Sequence, residues 1–266
     1  MALPVARFAA AVRARNPLIH SITNYVVAPF QANALSALGA SPIMADEPEE
    51  AAKLTGLSDG LVVNIGTLNQ HSINAMYLSA QAACRKNIPR VLDPVGVGAT
   101  YLRQHTVHEL LHLFRFSAIR GNAGEIAFLA QAGHRSKGID AGTLEADPLQ
   151  IAQTVARRYQ SIVVMTGAED YITDGHTTYL CRNGHPMMAV LVGTGCIASA
   201  VVGAFIAAHN HNMLEAAAAA ISFYGLCGET AAASAPRAIS QPPITVPANC
   251  RNGTAPAAAS AGFSAL

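Results

Sequence analysis

Short apolar runs alternate along this chain with longer segments in which apolar residues recur at helical spacing. Short, mainly apolar segments, typical of buried strands, occupy residues 18–20, 60–66, 90–94, 118–120 and 161–167. The helical pattern covers residues 5–15, 27–38, 72–86, 106–114, 122–130 and 146–159, and a further helix opens at Glu47. Such alternation predicts an α/β fold in three layers, with a mostly parallel central sheet and helices on both faces.

Two segments depart from this alternation. Residues 41–44 predict the start of a loop. Between residues 170 and 192, the dipeptides Asp174-Gly175 and Asn183-Gly184 are hairpin turn signals, so we expect short antiparallel strands there. The apolar run 187–192 has the length of a strand, and we predict it as one.

The stretch Gly193-Thr194-Gly195-Cys196 joins that run to residues 197–206, an almost wholly apolar segment that predicts a buried helix. The first N–H groups of a helix lack partners within it, and the helix dipole favours negative charge there. We therefore expect these four residues to hold a phosphoryl group during its transfer.

Two other interpretations of the same stretch compete with this one. The first is a tight turn that needs glycine only for its backbone conformation. The second is the dinucleotide fingerprint G-x-G-x-x-[GA], with Glu215 as its acidic residue. The fingerprint fails on context, because Glu215 opens an alanine-rich helical segment instead of ending a strand.

Polar residues stand where the predicted strands end, and parallel sheets bind ligands at that edge. Candidates occur at residues 64–67, 93–98, 120–122 and 166–167. Asp93 and Glu125 are acids that suit Mg²⁺, and Arg120 suits a phosphate. Each is more often structural when taken singly, but together they favour a site. The chain has no Walker A motif, which disfavours a P-loop NTPase.

The sequence His108-Glu109-Leu110-Leu111-His112 matches the zinc-protease pattern H-E-x-x-H. Zinc needs a third ligand, and no downstream residue offers one in a persuasive context. The leucines suit a partly buried covering helix, which is the interpretation we favour.

The composition limits the kinds of partner and the cellular compartment that the sequence favours. Hydrophobic residues make up 51% of the chain and charged residues 12%, which leaves little polar surface for a monomer, so we expect an oligomer. The net charge is +1 without a basic run, which does not favour nucleic acid. No stretch of 18 apolar residues predicts a membrane span, and residues 1–7 lack the apolar core of a signal peptide. Five widely spaced cysteines fit reduced thiols in a cytoplasm.

Nine blocks, in order between Pro17 and Glu229, resemble the hydroxyethylthiazole kinase family. They are residues 20–24, 37–45, 64–68, 92–100, 120–126, 164–167, 170–175, 183–188 and 193–196. The resemblance implies a ribokinase-like fold and a homotrimer with its site at a subunit interface. It also implies phosphorylation of 4-methyl-5-(2-hydroxyethyl)thiazole by ATP with Mg²⁺, a step that salvages the thiazole half of thiamine. A ribokinase-like kinase of another small alcohol and a nucleotide-binding protein without turnover are the alternatives.

The resemblance also implies roles for individual residues. The thiazole would contact Met44 and Gly193, with Asn24 and Gly66 beside it. ATP would bind Arg120 and Thr166, and Asp93 and Glu125 would support the metal. Cys196, with Thr194 and Gly195, would form the catalytic turn. Cys196 stands where ribokinase-like relatives usually carry an aspartate base; a thiol is a poor base, although a helix N-terminus can lower its pKa.

The chain changes character near its end. Residues 1–230 predict a single kinase domain, whereas residues 231–266 are dominated by Ala, Pro and Ser and lack periodicity. That composition is typical of a disordered tail. The tail also lacks the glycine-containing segment and final helix of the family, which favours a shifted reading frame.

Overall fold

A computed structural model of the protein describes residues 3–131 and 147–234. Its strands are β1 Leu18–Ile22, β2 Ser41–Ile43, β3 Gly60–Asn64, β4 Arg90–Asp93, β5 Ala118–Asn122, β6 Ile162–Thr166, β7 Asp170–Thr173 and β8 Thr178–Cys181. They form an eight-stranded sheet in the order β2-β1-β3-β4-β5-β6-β7-β8. The first six are parallel, and β7 and β8 add an antiparallel hairpin at one edge, as the turn signal at Asp174-Gly175 predicts.

Helices cover both faces of the sheet and confirm the predicted three-layer α/β class. They are α1 Val5–Arg15, α2 Ala28–Leu38, α3 Pro48–Leu57, α4 Gln70–Lys86, α5 Tyr101–Leu113, α6 Ala123–Gln131, α7 Pro148–Tyr159, α8 Met187–Val190, α9 Thr194–Ala208 and α10 Met213–Ser234. One apolar core lies between the sheet and α1, α2, α9 and α10. The second core lies between the sheet and α3 to α7.

Helix α9 is buried along nearly its whole length and packs across β1, β3 and β4. Gly203 lets the helix approach the sheet closely, because a Cβ there would lie 2.7 Å from Cγ2 of Val62. The hydrophobic segment thus forms the buried helix that the sequence predicts. Its N-terminus points to the edge where the parallel strands end.

Two predicted elements are wrong. The run 187–192 does not form a strand but holds the short helix α8, and Val190 and Val192 are each 71% exposed. Residues Ser41–Ile43 form the edge strand β2 instead of a loop, since they pair with β1. Helix α10 runs to Ser234, past the predicted tail boundary at Thr230. The rest of the tail, from residue 235, lies outside the described residues.

Across residues 3–131 and 147–234, no helix combines the length and the apolar character that crossing a membrane would require.

Candidate active site

The carboxyl ends of the six parallel strands bring most of the predicted site residues to one edge of the sheet. Asp93 and Thr166 are the last residues of β4 and β6, and Arg120 lies in β5. The chain reaches the same edge at Asn24 after β1, at Met44 after β2 and at Gly66 after β3. Strand order sets their sequence along the edge: Met44, Asn24, Gly66, Asp93, Arg120, Thr166.

Asn64, at the end of β3, ties the middle of this edge together. Its Oδ1 accepts hydrogen bonds from Asn24 Nδ2 and from the Gly66 backbone N–H, both at 2.9 Å. Its Nδ2 donates to Asp93 Oδ2 at 2.8 Å. The side chains of Asn24, Asn64 and Asp93 are all buried. A continuous chain of hydrogen bonds therefore joins β1, β3 and β4.

Asp93 is fully buried and uses its two oxygens unequally. Oδ2 also accepts a hydrogen bond from Ser199 Oγ at 2.7 Å and lies 3.9 Å from a terminal nitrogen of Arg120. Oδ1 has no hydrogen-bond partner among the described residues. Burial raises the pKa of Asp93 to about 6, although Arg120 and the hydrogen bond from Ser199 oppose that rise. The carboxyl group thus has one buried oxygen that no described residue hydrogen-bonds.

Glu125, in the first turn of α6, is held by backbone N–H groups. Its Oε1 accepts from Gly96 at 2.9 Å and its Oε2 accepts from Asn122 at 2.8 Å. The charge of Glu125 also contributes to the raised pKa of Asp93, so the two acids are electrostatic neighbours. Two carboxyl groups, one with an unpaired buried oxygen, form a donor set that suits Mg²⁺.

The N-terminus of α9 offers unpaired amides, as the sequence predicts for residues 193–196. Within the described ranges, no group accepts a hydrogen bond from the backbone N–H of Thr194, Gly195 or Cys196. Gly193 has a φ of +90°, and a Cβ there would overlap Val27. A Cβ at Gly195 would lie 2.6 Å from a guanidinium nitrogen of Arg120. The bare amides and the guanidinium group are therefore adjacent.

The side chain of Thr194 is already occupied. Its hydroxyl donates to the carbonyl oxygen of Met188 at 2.6 Å and lies 3.2 Å from that of Leu191. Its own carbonyl accepts from Tyr224 at 3.1 Å. Thr194 can therefore offer a ligand its backbone N–H, while its hydroxyl holds α8 against the start of α9.

Cys196 contacts the opposite side of the turn. Asn24 Nδ2 donates to its Sγ at 3.4 Å, and Gln31 Nε2 donates to its carbonyl oxygen at 2.6 Å. Burial, followed by the charge of Asp93, raises the pKa of the Cys196 thiol. Because this shift is upward from the ordinary value of a thiol, Cys196 is a neutral thiol near pH 7.

A cavity of about 710 Å³ opens beside this helix start. It is lined by Arg120, Thr166, Thr194 and Gly195 from the predicted site and by Tyr224 and Gly225 from α10. Arg120 donates to the Thr166 hydroxyl within it. Asn24, Gly66, Asp93 and Cys196 do not line this cavity. The predicted site residues therefore divide into one half that lines this cavity and one half that lies outside it.

Some of these residues carry weak signals in the sequence. Ser199 is a polar residue within the apolar segment 197–206, which could have marked it as a partner for a buried acid. Asn64 ends a predicted strand, but its link between Asn24 and Asp93 needs the tertiary fold. Tyr224 sits in an alanine-rich helix without any local motif, so no sequence signal points to it.

The H-E-x-x-H sequence lies on α5, where the rings of His108 and His112 are 6.3 Å apart. Glu109, between them, accepts a hydrogen bond from the Tyr77 hydroxyl at 2.8 Å. In the described part of the chain, no group of three or more metal-binding side chains is close enough to hold an ion.

A mostly parallel sheet, covered by helices on both faces and with unpaired helix-start amides at its carboxyl edge, is the fold of the ribokinase-like class. A ribokinase-like superfamily protein from Enterococcus faecalis V583 shares the fold, with a TM-score of 0.61 and 14% identity over 92% of this chain and 86% of its own. More specifically, the chain belongs to the hydroxyethylthiazole kinase family, whose model matches residues 9–241. The match extends beyond Glu229, where the blocks that resemble the family end.

Known hydroxyethylthiazole kinases align with most of this chain. The hydroxyethylthiazole kinase of Pasteurella multocida (strain Pm70) is 48% identical over 222 residues, 83% of each chain. That of Methanosarcina mazei is 46% identical over 221 residues, 83% of this chain and 84% of its own. The solved hydroxyethylthiazole kinase structure from Pyrococcus horikoshii OT3 has a TM-score of 0.81 and 35% identity, and it covers 94% of this chain and 92% of its own.

Proposed function

We propose that this enzyme transfers the γ-phosphoryl group of ATP to the hydroxyl of 4-methyl-5-(2-hydroxyethyl)thiazole, the salvage step for the thiazole half of thiamine. Family membership supports the reaction class. The observation that carries the chemistry is the pairing of unbonded amides at Thr194, Gly195 and Cys196 with the guanidinium group of Arg120. Both features favour a group whose negative charge is spread over several oxygens.

The two halves of the site suit the two substrates. The 710 Å³ cavity beside Arg120 and Thr166 has room for a nucleotide. The thiazole alcohol would lie on the other side of the helix start, against Met44, Asn24, Gly66 and Gly193. In this arrangement the substrate hydroxyl and the γ-phosphate meet at the first turn of α9.

Asp93 and Glu125 would hold Mg²⁺, with Asp93 contributing its unpaired Oδ1. When bound, the ion would neutralise charge on the phosphate oxygens. Ser199 and Asn64 keep Oδ2 of Asp93 occupied, so the carboxyl group cannot rotate freely.

The protein's part in the reaction is positioning and charge stabilisation. The hydroxyl oxygen forms a bond to the γ-phosphorus while the bond to the ADP oxygen breaks, and the hydroxyl proton leaves to water or to the phosphoryl group. Such a loose transition state gains little from a strong base. A neutral thiol at Cys196 is therefore compatible with turnover.

We further propose a cytoplasmic homotrimer with the site at a subunit interface. Four exposed apolar side chains lie just before Val27 and just before Gly193. These two segments are adjacent, because Gly193 packs against Val27. Tyr25 is 70%, Val26 54%, and Val190 and Val192 each 71% exposed. This patch flanks the thiazole half of the site, and its exposed apolar side chains suit a contact between copies.

An ATP-consumption assay with the thiazole alcohol tests the reaction. Turnover with this alcohol, and much slower turnover with a hydroxymethylpyrimidine or a sugar, is the expected result. Turnover only with one of those other alcohols would assign a different acceptor. Nucleotide binding in equilibrium dialysis without turnover of any alcohol would contradict a kinase function.

A further inference from the structure

His20, in the middle of β1, is a fully buried histidine with both ring nitrogens engaged. Its Nε2 lies 2.8 Å from the carbonyl oxygen of Ala45, and its Nδ1 lies 2.7 Å from the hydroxyl of Thr55 in α3. The contact to Ala45 spans 25 positions of the sequence. His20 therefore links three elements: its own strand, the segment after β2, and helix α3.

Between β2 and α3, Glu47 lies 3.2 Å from His71, but among the described residues no hydrogen bond other than that of His20 reaches residues 44–46. Strand β2 has three residues, all half-buried, and its pairing with β1 ends where His20 opposes Ile43. The chain then leaves the sheet through residues 44–47 and enters α3 at Pro48. The hydrogen bond from His20 Nε2 holds the backbone carbonyl of Ala45, immediately after Met44. It extends the anchoring of the edge strand by two residues beyond the last ladder pair.

The hydrogen-bond partners determine which ring nitrogen carries the proton. A carbonyl oxygen only accepts, so Nε2 must be the N–H that donates to Ala45. Burial lowers the pKa of His20, which favours the neutral ring. Nδ1 then accepts from the Thr55 hydroxyl, which lies 2.9 Å from the Ala51 carbonyl oxygen as its alternative acceptor. Thr55 thereby holds the ring in the tautomer that can bond to Ala45.

We propose that His20 is a positioning residue for the acceptor alcohol: its Nε2–H fixes the backbone at Ala45 and so holds Met44 against the substrate. The inference rests on the proposed function, which places Met44 in the thiazole half of the site. His20 itself touches neither substrate in this arrangement. Its effect should therefore appear in the affinity for the alcohol and leave the nucleotide half unchanged.

Two substitutions at this position separate the roles of the ring nitrogens. The amide nitrogen of His20→Gln reaches about as far as Nε2 and can still donate to Ala45. The shorter amide of His20→Asn reaches only as far as Nδ1, so it leaves the Ala45 carbonyl without its donor. We expect His20→Asn to raise the KM for the thiazole alcohol about ten-fold, with the KM for ATP and kcat nearly unchanged. His20→Gln should stay close to the unsubstituted enzyme.

Hydrogen–deuterium exchange of a peptide covering residues 44–47 supplies a second readout, which does not depend on activity. Exchange should be faster in His20→Asn and unchanged in His20→Gln. Thr55→Val, which removes the hydroxyl but keeps its shape, provides a further variant if His20→Asn fails to fold. It should raise the KM for the alcohol by a smaller factor, about three-fold, since the bond to Ala45 remains.

Equal rises in both KM values, or identical behaviour of the Gln and Asn variants, would overturn the inference. Absence of thiazole turnover in the unsubstituted enzyme would instead contradict the proposed function. In that case the exchange experiment still decides the anchoring role, because equal exchange in all variants would show that His20 does not hold the segment.

Discussion

The amide of Asn64 can satisfy its neighbours in one orientation only. Its oxygen must face the N–H donors of Asn24 and Gly66, and its nitrogen must face Asp93. Asn64→Asp would place a second carboxylate against Asp93 Oδ2 and remove that donor. Like charges at this distance repel strongly in a buried site, so the acid would shift or take up a proton.

We expect Asn64→Asp to lower kcat about 100-fold, because misplacing Asp93 disturbs the geometry of transfer. Steady-state kinetics measure this. Asn74→Asp makes the same chemical change on the exposed face of α4 and serves as the control. A similar loss in both variants would show that the effect is not specific to the site.

Cys196 and Gly195 are neighbours with different expected importance. Cys196→Ala should reduce kcat less than about ten-fold, since the thiol is neutral and phosphoryl transfer needs little base catalysis. Gly195→Val should reduce kcat about 100- to 1,000-fold, because the side chain would block the amides and displace Arg120. Thermal melting of both variants checks that each is folded. Comparable kcat values for the two would contradict the proposed role of the helix start.

The raised pKa of the Asp170 carboxyl group predicts that the stability of the fold depends on pH. Burial raises its pKa to about 6, although the Gly167 N–H and Arg120 oppose the shift. Between about pH 4 and 6 the folded chain binds more protons than the unfolded chain, so this carboxyl lowers stability as the pH rises. Asp170→Asn should therefore be more stable than the unsubstituted protein by about 1–2 kcal/mol at pH 8, and equally stable near pH 4.

Urea unfolding at several pH values measures the Asp170 effect. Exposed Asp46→Asn removes the same charge and should change the unfolding free energy by less than about 0.5 kcal/mol throughout. A constant difference between Asp170→Asn and the unsubstituted protein across this range would exclude the carboxyl as its cause.

For single residues, the sequence predicts where polar side chains collect but not which hydrogen bonds they form. Asp93 and Thr166 end their strands and Arg120 lies two residues before the end of β5, and a parallel sheet directs those ends to one edge. The bond from Ser199 to Asp93 crosses 106 positions and depends on how α9 packs over the sheet. Local pattern has no information about such a contact.

Helix α9 is the element on which both halves of the site depend. Gly203→Ala would add a methyl group 2.7 Å from Val62, which is fully buried in β3. We expect this change to destabilise the fold by about 1–3 kcal/mol through overpacking, measured by chemical unfolding.

Gly56→Ala on α3 is the matched control, because a Cβ there meets no atom within 4 Å. The same substitution should stabilise the fold by about 0.5–1 kcal/mol through helix propensity. If Gly203→Ala also stabilised the protein, the close approach of α9 to the sheet would be refuted.

The elements that the sequence predicts wrongly share a physical cause. An apolar run of six residues fits a buried strand and a surface helix equally well, and residues 187–192 have no partner strand on the hairpin. Residues 41–43 are short and only half-buried, and they become a strand because β1 offers an unpaired edge. By contrast, β3 and β6 lie inside the sheet, and their continuous apolar runs identify them without tertiary information.

At the scale of the whole molecule, the exposed apolar patch of Tyr25, Val26, Val190 and Val192 predicts assembly. Light scattering should give three times the 27.6 kDa of one chain. The double substitution Val190→Glu and Val192→Glu should dissociate the trimer and lower activity, since charged groups are costly in an apolar interface. Leu113→Glu, at an exposed position on α5, should leave the mass unchanged. A monomeric mass for the unsubstituted protein would contradict the proposed assembly.

The wall of the 710 Å³ cavity includes Ile221, Tyr224 and Gly225 from α10, which follows every strand of the sheet in chain order. In the proposed arrangement, the ribosome therefore completes all eight strands before the nucleotide pocket is whole. Bound nucleotide stabilises only chains that can bind it. ATP can thus protect the finished enzyme against unfolding, but it gives no help to the nascent chain.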